Sequence, residues 1–405
     1  MTNRRPLRRE PQLWFGAMIV LLTWIGIEML LNVDIFAHEP HDSYTLQALA
    51  WRRGMLSLGQ DYPWLELAVF NGDYYVSFPS VPALVMLPLT FLFGENTPNT
   101  LITGLYFLGS YFAAYALARR FRKAQDAQFM ALFMTLGCNM LQFSLLGGVW
   151  NQAQLLSFLL TTLCALGLTG ESPAEWGVGL GCLALSVGCR PFQAVYVPFG
   201  LWMLYQNLNR RSPAPLFRTL IRMIPYLIFP ALVAMALGWY NWARFGNPIE
   251  FGHNYLPEFT RDPDQPQMGV QYILNNLRNL LRLPHFEENR LTFPMFDGFA
   301  FYIANPIYAT AIIALIVKLL RRRFDLGDGL LCAGFAAEIL LLLCHKTFGG
   351  WQFGARYLCD LIPMLMLFEL RGRAKRAHWE TAAGLFAIAF NIYGAILFHL
   401  TDLLA

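Results

Sequence analysis

Apolar runs of 15 to 23 residues recur along the whole of this 405-residue chain, and clusters of arginine and lysine fall between them. A run of about 20 apolar residues matches the thickness of a bilayer's hydrocarbon core when wound as an α-helix. The chain is therefore predicted to be an all-α polytopic membrane protein. Composition agrees: hydrophobic residues make up 56% of the chain and charged residues only 14%, against roughly 25% charged in soluble domains. Mean hydropathy is +0.41. These values exclude a soluble metabolic enzyme, a nucleic-acid-binding protein, a disordered tail and a secreted disulfide scaffold. Membrane lipids are the expected surroundings. All seven cysteines lie in or beside apolar runs without metal-ligand spacing, so they read as small buried hydrophobes.

The net charge of +4 is modest, but its distribution is informative. Twenty of the 30 basic residues form five clusters of four: Arg4/Arg5/Arg8/Arg9, Arg119/Arg120/Arg122/Lys123, Arg210/Arg211/Arg218/Arg222, Lys318/Arg321/Arg322/Arg323 and Arg371/Arg373/Lys375/Arg376. Membrane insertion keeps short basic loops in the cytoplasm, so all five clusters should lie on one side. That parity selects about 11 transmembrane helices, at 13–33, 99–118, 127–146, 150–169, 175–189, 192–208, 223–241, 299–320, 328–344, 355–370 and 379–400. The N-terminus is then cytoplasmic and the C-terminus outside. The first run is too long for a signal peptide and acts as an anchor.

The run Ser80 to Gly94 is left out, because it is 15 residues long and contains Pro82 and Pro88; it is expected on the outer face as a surface or re-entrant helix. The short pair 175–189 and 192–208 breaks at Arg190-Pro191, which suggests a hairpin with Arg190 at a tip below the outer surface. Outer loops 34–98 and 242–298 hold 65 and 57 residues, whereas the inner loops are short. Chemistry is expected on the outer face of a single membrane domain spanning 1–405. In the second loop Val270, Ile273, Leu274, Leu277, Leu280 and Leu281 recur at helical spacing opposite Asn275, Asn276, Arg278, Asn279 and Arg282, the pattern of an interfacial amphipathic helix.

The candidate chemical groups follow from this placement. Glu39, His41 and Asp42 crowd Pro40 just after the first span, with Tyr44 behind them. An acid there suits a general base for a hydroxyl acceptor; Asp42 or Ser43 also suits a helix N-cap, and the two roles are compatible. Asp73 and Tyr75 follow Asn71-Gly72, a pair that signals a hairpin turn before it signals catalysis. Of the basic residues left outside, Arg356, Lys346 and Arg190 sit near span ends and suit phosphate binding. Arg278 and Arg282 are better explained by snorkelling. The GxxxG at Gly177 and Gly181 and the pair Gly147-Gly148 suit close helix packing. His253, His285 and His345 are isolated, and no HExxH motif points to a transition metal. A divalent ion is compatible with the acids but has no motif behind it.

The acidic segment His38 to Tyr44, the run YYVSFPSVPALVMLPLTFLFG, a span ending ALARRFRK, the broken pair GLGCLALSVGCRPFQAVYVP, the segment NWARFGNPIEFG and the late FGARYLCDLIP form an ordered series over most of the chain. This series resembles the GT-C superfamily of polyprenyl-phosphate-dependent membrane glycosyltransferases. It departs from related enzymes at Pro79-Ser80, where a Pro-Pro or Pro-Gly pair is common, and in the expectation of no soluble C-terminal domain. The resemblance implies inverting transfer of a sugar from a polyprenyl-phosphate donor to a lipid- or glycan-linked acceptor hydroxyl, at the outer face of a bacterial inner or plasma membrane. It implies Asp42 as base, with Glu39 as the neighbouring acid, and outer basic residues on the donor phosphate. His41, Tyr44, Asp73 and Tyr75 are then acceptor or sugar contacts, and no cofactor is expected. Two other readings stay open: a transporter or flippase, which the scarcity of acids inside the spans apart from Glu28 and Glu338 disfavours, and a non-catalytic binder of lipid-linked precursors.

Overall fold

The computed structural model describes residues 7–261, 264–372 and 375–402. Arg4, Arg5 and Arg373, members of two basic clusters, lie outside the described residues. The helices that organise the fold are α1 (Pro11–Leu30), α2 (Ser43–Arg52), α3 (Val81–Phe93), α4 (Asn99–Phe121), α5 (Ala124–Leu136), α6 (Val149–Leu168), α7 (Pro173–Val187), α8 (Val197–Arg211), α9 (Leu216–Phe245), α10 (Ile273–Leu281), α11 (Ile307–Leu320), α12 (Leu326–Leu343), α13 (Ile362–Leu370) and α14 (His378–Asp402). Two small hairpins accompany them, β1 (Leu67–Phe70) with β2 (Asp73–Val76), and β3 (His285–Glu287) with β4 (Arg290–Thr292). Six helices, α1, α4, α6, α9, α12 and α14, are long and apolar enough to cross a membrane, and their outward faces carry exposed side chains such as Trp14, Phe15, Phe229 and Trp239. The protein is an integral, multi-pass membrane protein.

The other five expected spans are shorter helices, α5, α7, α8, α11 and α13, of 13, 15, 15, 14 and 9 residues. All five give way to irregular or 3-10 backbone at one end, in four segments: after Leu136, around Gly188 to Tyr196, before Ile307 and before Ile362. Such backbone survives at membrane depth only where protein or an internal cavity satisfies its amides and carbonyls. Here asparagines and glutamines do so. Asn139 Oδ1 accepts from Asn305 Nδ2 at 2.8 Å and from Ala355 N at 3.0 Å, and Asn139 Nδ2 donates to Asn391 Oδ1 at 3.0 Å. Asn391 Nδ2 donates to Ala304 O, and Gln142 Oε1 accepts from Phe353 N. Gly354, at φ 95°, lies so close to Asn139 that a Cβ would overlap its amide.

Ion pairs gather three of the basic clusters at one end of the bundle. Arg119 pairs with Glu10 at 2.6 Å, Arg120 with Glu175, Arg122 with Glu380 at 3.2 Å and Arg376 with Asp126 at 3.4 Å. Lys318 and Arg371 share Asp328, at 2.7 and 3.3 Å. The pairing of Glu10 with Arg119 makes α4 antiparallel to α1, and Tyr111 donates to Leu13 O between them. At the other end Asn99, which opens α4, holds the backbone of Glu39. The chain therefore leaves and re-enters the bundle at the same end between α1 and α4, and α3 does not cross. It packs on α2, and Val81 N donates to Gly188 O at the tip of the α7–α8 hairpin.

The first hairpin is the turn its sequence signals: Phe70 pairs with Asp73, while Asn71 and Gly72 adopt φ of 51° and 82°. The amphipathic segment forms α10, with Leu274, Leu281, Asn275 and Arg278 exposed and Leu280 and Asn276 buried; Asn276 Nδ2 donates to Leu343 O at the end of α12 and to His345 O. Arg282 differs from the snorkelling expectation. Its Nη2 donates to Phe296 O and Gly298 O, two loop carbonyls within reach of the guanidinium.

Replacing Asn139 with Ala strands partners on three separate segments, each buried polar group costing about 1–3 kcal/mol. The variant should show a clearly lowered thermal unfolding midpoint in detergent. An unchanged midpoint would mean that the irregular segments hold themselves.

Candidate active site

At the end opposite the basic clusters the irregular segments enclose a cavity of about 1040 Å³. It is walled by the first outer loop, the start of α6, the α7–α8 tip, the segment after α9 and the segment between α12 and α13.

The first loop turns into α2 at Asp42. Its Oδ1 accepts from Tyr44 N at 2.9 Å and Thr45 N at 3.2 Å, and its Oδ2 accepts from Thr45 Oγ1 at 2.5 Å. Asp42 is fully buried and does not line the cavity. Burial raises its pKa while the Thr45 hydrogen bonds pull it down. Capping turns the Asp42 carboxylate into the helix end and away from the cavity lining. The acid from this loop that does line the cavity is Glu39. Its Oε1 accepts from the His41 backbone N at 3.1 Å and lies 2.6 Å from His41 Nδ1, whereas its buried Oε2 has no partner among the described residues. Asn99 fixes the Glu39 backbone from both sides, Oδ1 accepting its N–H at 2.9 Å and Nδ2 donating to its carbonyl at 2.8 Å. His41 also lines the cavity, 6.2 Å from the Trp150 ring, whose Nε1 donates to Glu66.

Arg356, Lys346 and Arg190, distant in sequence, all reach the same cavity. Arg190 spends its Nε on Asp360 at 2.8 Å, and Gln154 donates to the other Asp360 oxygen. Arg190 and Arg356 both lean on the Tyr357 ring, at 4.7 and 5.2 Å. Arg356 makes no salt bridge among the described residues, and its buried Nε has no hydrogen-bond partner. Lys346 Nζ donates only to the backbone carbonyl of Glu258. Three of the expected contacts lie elsewhere. Tyr44 is fully buried in the core, exposed Asp73 sits in the hairpin, and Tyr75 packs beside Phe245, because β2 presents them away from the cavity.

Asn99, Gln154 and Asp360 were not singled out in the sequence. Asp360 stands one helical turn after Arg356, and that spacing was a readable signal. The rim adds Glu66, Glu250, Glu258 and Asp297; burial and the nearby Glu66 raise the pKa of Glu258, and burial raises that of Asp297. Among the described residues no group of three or more His, Cys, Asp or Glu is arranged to hold a metal ion.

No protein-family profile matches the sequence, and no curated protein matches it. Solved structures do. The apo oligosaccharyltransferase of Archaeoglobus fulgidus superposes with a TM-score of 0.54 at 12% identity, over 98% of this chain and 56% of that one. ArnT from Cupriavidus metallidurans bound to undecaprenyl phosphate gives 0.51 at 12% identity, over 93% of this chain and 62% of that one. The A. fulgidus enzyme AglB with an inhibitory peptide and a dolichol-phosphate gives 0.54 at 11% identity, over 98% and 56%. The chain thus spans between half and two thirds of the length of these proteins. The fold of this chain is the one that these oligosaccharyltransferase and ArnT structures share.

The cavity makes a pH prediction. Burial pushes the His345 imidazole down to about 3 from 6.5, and burial also lowers His253, whose ring is 6.0 Å away. Below about pH 6.5 the unfolded chain takes up a proton at position 345, while the folded chain stays neutral there until about pH 3. Stability is therefore complete above pH 6.5 and declines as the pH falls. Thermal unfolding followed from neutral to acid pH should show this decline, and His345→Gln should flatten it. An equal slope in the variant would assign the decline to other groups.

Proposed function

We propose that the protein transfers a sugar from a polyprenyl-phosphate donor to an acceptor hydroxyl at the outer face of a cellular membrane, with inversion at the anomeric carbon. The observation that carries this reading is the pairing, in one cavity, of an unpartnered carboxylate oxygen on Glu39 with a guanidinium on Arg356 that has no ion-pair partner. The neighbouring solved structures include one bound to undecaprenyl phosphate and one bound to a dolichol-phosphate.

In this mechanism the Glu39 carboxylate accepts the acceptor's hydroxyl proton. The acceptor oxygen bonds to the anomeric carbon from one side as the bond to the phosphate oxygen breaks on the other. The departing polyprenyl phosphate gains the negative charge, which Arg356, Lys346 and the unused nitrogens of Arg190 stabilise. His41 orients Glu39, and Asp42 holds the turn that presents it. The lipid- or glycan-linked acceptor enters from the rim formed by the two long outer loops.

Transfer from synthetic polyprenyl-phosphate sugars tests the assignment. Glu39→Gln should abolish turnover at unchanged thermal stability, whereas Asp42→Asn should retain turnover, since an amide still caps the helix. The reverse pattern would return the base to Asp42. Arg356→Lys loses the bidentate fork and should cost about 1.5–3 kcal/mol, a tenfold to hundredfold loss of donor affinity or rate. Arg278→Ala is the comparison, and equal small effects at both positions would place the phosphate elsewhere. Turnover by none of the preparations with any donor would favour a binder of lipid-linked precursors.

The orientation is testable separately. Tags at 123, 212 and 322 should report the cytoplasm and tags at 60 and 289 the outside. A tag at 60 reporting the cytoplasm would invert the whole assignment.

A further inference from the structure

The arginines of the 210–222 cluster are treated differently from the other basic residues at their end of the bundle. In the clusters at 119–123, 318–323 and 371–376, at least one member pairs with a carboxylate. Arg210, Arg211, Arg218 and Arg222 form no salt bridge among the described residues. The sequence explains why: from Trp176 to Ile249 there is no acidic residue, while six arginines fall in that stretch.

Two of these arginines line a cleft of about 390 Å³ where the start of α7, the end of α8 and the start of α9 meet. Arg222 Nη1 donates to Ser212 O at 2.9 Å, which brings its guanidinium beside the residue following Arg211. Trp176 and Tyr226 form the inner wall, their ring centroids 6.2 Å apart. The first turns of α9 expose Leu216, Phe217 and Ile221 at 62%, 73% and 49%. A cationic cleft with an aromatic wall and apolar side chains beside it matches a phosphate carried on acyl chains better than a phosphate free in water.

We propose that this cleft is a binding site for the phosphate headgroup of an anionic glycerophospholipid, at the membrane face opposite the catalytic cavity. The lipid's phosphodiester bridges Arg211 and Arg222, and its chains run along the exposed side of α9. The occupant supplies the negative charge that the sequence lacks between α7 and the second outer loop. It is distinct from the polyprenyl-phosphate donor, whose proposed contacts lie at the other end of the bundle.

The test uses the full chain in detergent, with native mass spectrometry counting retained lipid. Dioleoylphosphatidylglycerol should be retained in preference to dioleoylphosphatidylcholine. Arg211→Gln and Arg222→Gln, both at exposed positions that fold without the charge, should each weaken retention on the order of tenfold, as loss of one charge-assisted contact implies. Arg321→Gln with Arg322→Gln, basic residues of the same face outside the cleft, should leave retention unchanged. Equal losses in that control would mean diffuse surface attraction and would overturn the site. Equal retention of the two lipids would do the same, as would displacement of the bound lipid by millimolar inorganic phosphate. Sugar transfer is read in parallel and is expected to persist in the cleft variants, so failure of this site and failure of the catalytic assignment are separable.

Discussion

The structure depends on one constraint: backbone that is not helical must find hydrogen-bond partners inside a membrane. The five short helices border four irregular segments, and side-chain amides satisfy freed groups there. Asn139, Asn305 and Asn391 tie together three segments far apart in sequence, and Gln142 and Gln154 hold the segment leading into α13. Amides suit this task because each offers a donor and an acceptor without a charge to desolvate. The cavity is the space that these interruptions leave. A bundle of uniformly long helices would have no comparable opening.

Charge is divided between the two ends according to the same economy. At the basic end Arg119, Arg120, Arg122, Lys318, Arg371 and Arg376 each meet a carboxylate, and the Lys318–Asp328–Arg371 group shows how closely such charges are packed. At the cavity end pairing is deliberately incomplete. Arg190 is neutralised by Asp360, and the Arg356 guanidinium beside it is left without a carboxylate. The Arg190–Asp360 pair thereby gives Arg356 a rigid, nearly neutral neighbour instead of a repelling one. Both guanidiniums rest on Tyr357, which keeps their planes in place without consuming their donors.

Much of this was legible in the sequence. Long apolar runs and basic clusters carry information residue by residue, so α1, α4, α6 and α14 start within two residues of the expected positions. The break at Arg190-Pro191 and the proline pattern of α3 are equally local signals, and basic residues at outer span ends mark Arg190, Lys346 and Arg356. The direction of a carboxylate was not legible. Glu39 and Asp42 are three residues apart, and which one caps and which one faces the cavity depends on Asn99, 60 residues from Glu39. The asparagine ties over 166 and 252 residues have no periodic signature. Arg282 looked like a lipid-facing residue because its carbonyl partners lie in a loop whose course only the folded chain defines.

The brevity of α13 sets the depth at which any chemistry occurs. Nine residues rise only about 14 Å, and Arg371, at the basic end, begins the count. Asp360 stands just beyond the opposite end of that helix, so if Arg371 marks one boundary of a hydrocarbon layer of roughly 30 Å, the pair with Arg190 falls near its middle. On that placement a phosphate reaching Arg190 and Arg356 would sink beneath the plane where lipid headgroups normally rest. The isoprenoid part of such a molecule would have to bend upward or leave sideways from that level, and the bilayer around the cavity would be drawn thinner to meet it.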